Sequence, residues 1–279
     1  MNILLCNDDG IHANGMAAMF DALIDHAGLL GGPLGQVMVV APLTVQSATG
    51  HGITFRQPLI TREVDVNDRM SGTGVDGRPA DCVKLALSTL WPARFGRGTR
   101  PDLVVSGMNQ GANVGINVLY SGTVAAALEA AFLGVPSIAV SLHLGTGKPR
   151  YDVAAQHARR AIDRVLSAAR AGKQASTPSG LLPGSCLSIN VPITEHDTPM
   201  PGISVAPMNV HGMVDDYIKN TNPLGEDYYW SNGQPMEFHA LEPGSDVQAL
   251  LEGRLTITPL KFDLSDYAAL AAWKTRLPG

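Results

Sequence analysis

The stretch Asn7-Asp8-Asp9-Gly10 follows directly on the short apolar run Ile3-Leu4-Leu5-Cys6. Two adjacent carboxylates repel one another, and both stay ionised only where a cation or strong donors lie close. A hard divalent ion with oxygen ligands meets that demand. The same residues have a plainer reading, in which Asp-Gly marks a turn and Asp8 caps the next helix. A second polar stretch, Leu43 to His51, follows the run Val37 to Ala41 and Pro42. Its Ser47 could lend a metal a neutral oxygen, or serve only as a turn residue. A third follows Leu103-Val104-Val105, where Gly107, Gly111 and Gly115 recur at every fourth position among Asn109, Asn113 and Asn117. Glycines of this kind let backbone N–H groups and amide oxygens approach a ligand. The stretch then runs into Tyr120-Ser121-Gly122-Thr123, the opening of a helix. Helix N-termini bind phosphate through free N–H groups and the dipole, while Ser121 reads equally well as an ordinary N-cap.

Short apolar strands and amphipathic helices alternate around these segments. Strands are expected at 2–6, 37–41, 103–105, 137–142 and 187–191, and helices at 15–27, 79–90, 123–133 and 152–170. Pro79 suits the first turn of its helix, where a missing N–H costs nothing. This order predicts an α/β fold, a parallel, Rossmann-like sheet flanked by helices. Ligands of such sheets bind outside the carboxyl ends of the strands, so the three polar stretches should converge on one edge. Beyond Pro192 the pattern loosens, with short strands expected at 203–206, 227–230 and 255–258 and a helix at 266–273. We read residues 1–279 as one domain, with a catalytic core at 1–192 and a β-rich extension at 193–279.

Composition removes several classes of function. The chain is 45% hydrophobic and only 16% charged, against roughly 25% charge in ordinary soluble domains. The most apolar window, Thr123 to Leu142, is broken by Glu129, Gly134 and Pro136, so no membrane span is expected. A net charge of −5 and the lack of any Lys/Arg run argue against a nucleic-acid duplex as partner. Arg159-Arg160 reads as a solvated helix face. Cys6, Cys82 and Cys186 are odd in number and widely spaced. They read as buried small hydrophobes rather than disulfide or zinc ligands. The first apolar run stops at Asn7, too short for a secretory signal, and the expected address is cytoplasmic. No P-loop, G-x-G-x-x-G turn or G-x-S-x-G elbow occurs at the expected places.

The sequence resembles the SurE family of survival-protein nucleotidases. The matching stretches are NILLCNDDGIHANG at 2–15, VVAP and QSATGHGIT within 39–54, and GRPADCVKLAL at 77–87. PDLVVSGMNQGANVG at 101–115, YSGTVAAALEAAFLGVPSIAVS at 120–141 and ITPLKFDLSDY at 257–267 continue the match in the same order. The combination of NDDG, SGxNxGxN and YSGT is far more specific than any one piece. The resemblance implies a metal-dependent phosphomonoesterase acting on nucleoside 5′-monophosphates, with 3′-monophosphates an open alternative. It implies one divalent ion per subunit, Mg²⁺ or Mn²⁺, held by Asp8, Asp9, Ser47 and Asn109. Asn109, Ser121, Gly122 and Thr123 would face the phosphate, and Asp8 or Asp9 would orient or deprotonate the attacking water. It also implies a homodimer or homotetramer built through the C-terminal region. Where the family carries Gly-Thr-Pro-Ala-Asp, this chain has Gly77-Arg78-Pro79-Ala80-Asp81, making Arg78 either an extra anion contact or a solvated charge.

Other residues take plainer readings. His12 and His51 flank the expected site as structural residues, with proton transfer the alternative. Lys84 and Glu129 read as packing or solvated helix positions. Tyr228, Tyr229 and Trp230 read as interface or core packing. Three other functions compete. An aspartyl-phosphate phosphatase would place its two acids two residues apart. A receiver-like Mg²⁺-binding signalling domain needs an acceptor aspartate where this chain has Ser106-Gly107. The third is a catalytically silent metal- or phosphate-binding protein.

Overall fold

In the computed structural model, which describes residues 1–172, 177–233 and 236–277, alternation in the first strand sets the layers. Ile3 and Leu5 of β1 (Asn2–Cys6) enter one core with Met16, Met19, Ala158 and Ile162. Leu4 and Cys6 enter another with Val83, Trp91, Ala126 and Ala130. A strand buried on both faces needs this continuous apolar run, because successive side chains point to opposite sides.

Along the chain, β1 is followed by α1 (Asn14–Ile24), β2 (Gln36–Pro42), β3 (Ile60–Asp65), β4 (Ser71–Asp76) and α2 (Pro79–Leu85). Next come α3 (Trp91–Phe95), β5 (Leu103–Gln110), a 3-10 turn (Gly115–Tyr120), α4 (Gly122–Phe132), β6 (Ser137–Leu142) and α5 (Tyr151–Ala171). The remainder is β7 (Cys186–Val191), β8 (Ile203–Val205), β9 (Tyr217–Thr221), β10 (Asp227–Ser231), α6 (Asp246–Leu251), β11 (Leu255–Leu260) and α7 (Tyr267–Arg276). The main sheet runs β3-β4-β2-β1-β5-β6-β7-β11-β8. Its six strands from β4 to β7 are parallel, and β3 and β11 pair antiparallel at the two sides. Helices α1 and α5 cover one face, α2 and α4 the other. The expected Rossmann-like α/β architecture is therefore present. The chain winds from β1 outward to β2 and β4, then returns to lay β5 on the other side of β1. That reversal places the crevice beside the carboxyl ends of β1 and β5.

Several local expectations change. The β3–β4 hairpin was not foreseen, since β3 is an edge strand whose side chains are almost all exposed, and such a strand needs no apolar pattern. The helix expected at 79–90 ends as an α-helix at Leu85, then passes through a π-helical turn (Ala86–Leu90) into α3. Pro92 lacks an N–H and its ring crowds the carbonyl four residues back; a wider turn accommodates both. Strand β5 runs on past Val105 to Gln110. A side chain at Gly107 would place Cβ 2.2 Å from Val140 O, and its φ is +135°, so glycine lets β5 keep close to β6 and carry Asn109 within the strand.

Arg159 corrects the reading of a solvated Arg pair. It is 4% exposed and donates to Ala22 O in the last turn of α1 at 2.7 Å and to Gly32 O in the loop beyond it at 3.0 Å. Tyr228, Tyr229 and Trp230 lie exposed on the β9–β10 hairpin and are not core residues. The three cysteines are buried and free. Among the described residues no helix is long and apolar enough to cross a membrane.

The region after residue 192 also builds on the sheet, through β8, α6 and β11. Its main polar anchor is Asp246, 1% exposed, which accepts from Gly115 N–H at 2.8 Å, Asn209 N–H at 2.9 Å and Val247 N–H at 2.8 Å. Replacing it strands buried donors on two segments far apart in sequence. Asp246→Ala should lower stability by about 2–4 kcal/mol, seen as a lower urea midpoint; an unchanged midpoint would show that water replaces those bonds.

Candidate active site

At the end of β1 the chain turns sharply. Asn7 is fully buried, and its Nδ2 donates to Gly10 O at 2.8 Å, closing the turn that carries both carboxylates. Ile11 N–H donates to Pro42 O at 2.8 Å, tying this turn to the end of β2.

Asp8 is 4% exposed. It sits against the start of α4, where the Thr123 hydroxyl donates to its Oδ1. Gly122 permits this approach, since a Cβ there would lie 2.8 Å from Asp8 Cβ and 3.0 Å from its Oδ2. Burial pushes the Asp8 carboxyl up to about 6, opposed by the Thr123 hydrogen bond and assisted by the charge of Asp9. Asp9 is half-buried, and its Oδ2 accepts from Gln110 N–H at 2.8 Å. Burial raises its pKa too, against that hydrogen bond. The Tyr151 phenol, at the start of α5, is raised by burial and further by the Asp9 charge.

Asp8, Ser47, Asn109, Asn117, Tyr120 and Ser121 line a cleft of about 250 Å³ at this sheet edge. Ser47 reaches it from an exposed loop whose Gln46 N–H donates to Asp8 O at 2.8 Å. The Asn109 Nδ2 is committed to Gly111 O at 2.8 Å, which leaves its amide oxygen available as an acceptor. Ser121 caps α4, its Oγ accepting from Val124 N–H at 3.1 Å. Its hydroxyl proton stays free to donate into the cleft.

Asp8, Ser47, Asn109 and Ser121 thus meet as the sequence suggested. Asp9 stands beside the cleft rather than in its lining. Thr123 is fully buried and committed to Asp8. Gly122 serves as the close-packed floor beneath Asp8. Neither reaches the cleft itself. His12 is exposed and lies outside the lining, and Arg78 is exposed over Gly52. His51 bonds to Glu129 instead of entering the cleft. Tyr120 and Asn117 also line the cleft; neither is among the expected ligands, although Tyr120 opens the YSGT stretch and Asn117 belongs to the Gly/Asn-rich loop.

The arrangement suits a hard cation. Its donors are carboxylate, hydroxyl and amide oxygens, the set favoured by Mg²⁺ or Mn²⁺. Among the described residues neither Asp8 nor Asp9 has an ion-pair partner. Two raised carboxyls with no basic partner form a negative site that a divalent ion would neutralise. The positive end of α4 beside it favours a phosphate.

A family model described as survival protein SurE matches residues 3–214. A protein of Heliobacterium modesticaldum named 5′-nucleotidase SurE is 39% identical to this chain, covering 97% of it and 89% of its own length. One of the same name from Solidesulfovibrio magneticus is 41% identical, covering 99% and 98%. The crystal structure of SurE protein from Aquifex aeolicus superposes with a TM-score of 0.76 at 33% identity, over 99% of both chains.

Proposed function

The chain belongs to the survival protein SurE family, and from that membership we propose that it is a divalent-metal-dependent phosphomonoesterase that hydrolyses nucleoside 5′-monophosphates. The relatives' name, 5′-nucleotidase, supports the substrate. The observation that carries the chemistry is Asp8, a buried carboxylate with no basic partner among the described residues, which faces a cleft of oxygen ligands at a helix start.

Asp8, Asp9, Ser47 and Asn109 would hold one Mg²⁺ or Mn²⁺ per subunit. When bound, the ion polarises a phosphoryl oxygen and acidifies water. The Thr123 hydroxyl fixes the rotamer of Asp8. Asp9, beside the cleft with one oxygen held by Gln110 N–H, has its other oxygen uncommitted among the described residues and would orient the attacking water and take its proton. The Ser121 hydroxyl and the N-terminal dipole of α4 stabilise charge on the phosphoryl oxygens. Water adds to phosphorus, the ester P–O bond breaks, and the leaving oxygen takes up a proton to give nucleoside and phosphate.

All proposed ligands lie within residues 1–192, which we assign as the catalytic core of a single domain. The extension at 193–279 is assigned to self-association as a homodimer or homotetramer. Helix α7 supports this, since it buries no side chain of its own and exposes Leu270 and Trp273. A cytoplasmic address belongs to the same reading, supported by three free cysteines of the kind reducing compartments maintain.

A panel of metals against 5′- and 3′-nucleotides, short polyphosphate and an aryl phosphate tests the reaction. Turnover is expected only with a divalent ion, and chelation should abolish it reversibly. Sustained turnover in chelator would overturn the metal assignment, and failure on every 5′-nucleotide would overturn the substrate.

A further inference from the structure

The loop that carries Ser47 is fastened on both sides of that residue. Gln46 N–H bonds to Asp8 O, and Gly50 N–H donates to Tyr120 O at 3.0 Å. The next residue makes the longest-range tie: His51 Nε2 lies 2.9 Å from Glu129 Oε2. The other Glu129 oxygen accepts from Lys84 Nζ at 3.1 Å, reaching across from α2. The His51 ring is also stacked on Phe132, centroids 4.9 Å apart and planes within 5°. Its edge and its face are both held. Three residues on, Thr54 is fixed to Asp81 of α2 through N–H and Oγ1, at 2.8 and 2.7 Å.

Glu129 is the only acid in α4, a helix otherwise made of apolar and small residues, and it is 4% exposed. Burying a carboxylate is costly unless partners compensate, and packing alone would be served by another alanine. Burial works against its charge, but the hydrogen bonds from His51 and Lys84 outweigh that and hold its carboxyl below the usual range. With Glu129 ionised, the proton belongs on His51 Nε2. Helix α4 thus grips the site at two points. Thr123 holds Asp8, and Glu129, six residues or about 9 Å further along, holds the loop of Ser47. A single rigid element sets the distance between a carboxylate and a hydroxyl that arrive from different strands.

We propose that His51 and Glu129, braced by Lys84, form a latch that positions the loop at 43–54 so that Ser47 is presented to the cation cleft. Both are positioning residues, since neither enters the cleft. The proposal rests on reading that cleft as a divalent-metal site.

Calorimetric titration of Mn²⁺ into the full-length protein tests it without relying on turnover. His51→Ala should weaken binding by about tenfold, the scale for residues that support metal ligands. His51→Gln, which keeps a donor for Glu129, should recover most of that loss. In a Ser47→Ala background, His51→Ala should add less than about twofold, because coupled residues are not additive. Glu129→Gln keeps the shape and should match His51→Ala, so it decides the matter if the alanine variant does not fold. Binding within about twofold of wild type in both His51→Ala and Glu129→Gln would overturn the latch. So would an undiminished tenfold loss on top of Ser47→Ala. If the wild type bound no divalent ion, the reading of the cleft would fall and the latch with it. If the wild type bound and the variants bound equally well, only the latch would fall.

Discussion

Asp8→Asn is expected to cut turnover steeply and, in chelator, to make the protein harder to unfold. The first effect follows from removing the carboxylate that faces the cleft beside Ser47 and Asn109. A loss on the order of a thousandfold in kcat/KM matches the removal of one group from a charge-stabilising set. The second follows from the Asp8 carboxyl, raised from 3.8 to about 6 chiefly by burial. A raised carboxyl pKa means that the folded chain holds the proton more tightly than the unfolded one. The group's favourable contribution is therefore complete below 3.8 and lost as pH rises through about 6. At pH 7.5 the metal-free wild type carries the full cost of a buried charge, up to about 3 kcal/mol, which asparagine avoids. Urea unfolding in chelator should show Asp8→Asn ahead at pH 7.5, with the gap closing between pH 6 and 4. Saturating Mn²⁺ should reverse the order, because an ion that binds only the folded wild type stabilises it by mass action. Near-native turnover by Asp8→Asn would sink the role given to this residue.

Gly122→Ala tests the same geometry from the opposite side. Its backbone needs no left-handed conformation, and alanine is intrinsically no worse than glycine in the first turn of a helix. Any loss must therefore come from what the methyl meets. The added Cβ would lie 2.8 Å from Asp8 Cβ, 3.0 Å from Asp8 Oδ2 and 3.1 Å from Pro79 Cγ. Two of these contacts are with the side chain that the site most needs in place. Overpacking of this kind costs about 1–3 kcal/mol. A displacement of Asp8 approaching 1 Å should cost on the order of a hundredfold in kcat/KM. Gly202→Ala is the control: a Cβ there meets nothing within 4 Å, and activity and stability should be unchanged. A Gly122→Ala enzyme of normal activity would mean that the start of α4 yields and that its packing does not set Asp8.

Both predictions depend on contacts between residues far apart in the chain, and there the sequence was least legible. The strands β1, β2, β5, β6 and β7 were readable because strands buried on both faces are continuous apolar runs. Their carboxyl ends were readable as the place for chemistry because parallel order dictates it. Thr123 was read as a phosphate contact, but its hydroxyl is given to Asp8, a partner 115 residues away. Lys84, Glu129 and His51 looked unremarkable singly, and their meeting requires α2, α4 and the loop after β2 to be assembled. Arg159 looked solvated because arginine usually is; the end of α1, the loop after it and Asp163 provide the acceptors that justify its burial.

Residue order alone was enough for the class of fold, for the sheet edge on which the polar loops converge, and for the types of oxygen those loops carry. Hydrophobic periodicity and turn residues are local properties, written within a few positions of each other. Tertiary structure decided which of those oxygens face the cleft and which hold others in place. It set Asp8 against the start of α4, turned Asp9 toward Gln110, and bound the loop of Ser47 to Glu129. Such assignments depend on distances across the fold, and a hydroxyl or carboxylate takes its role from the partner that comes within hydrogen-bonding reach once the helices have packed on the sheet.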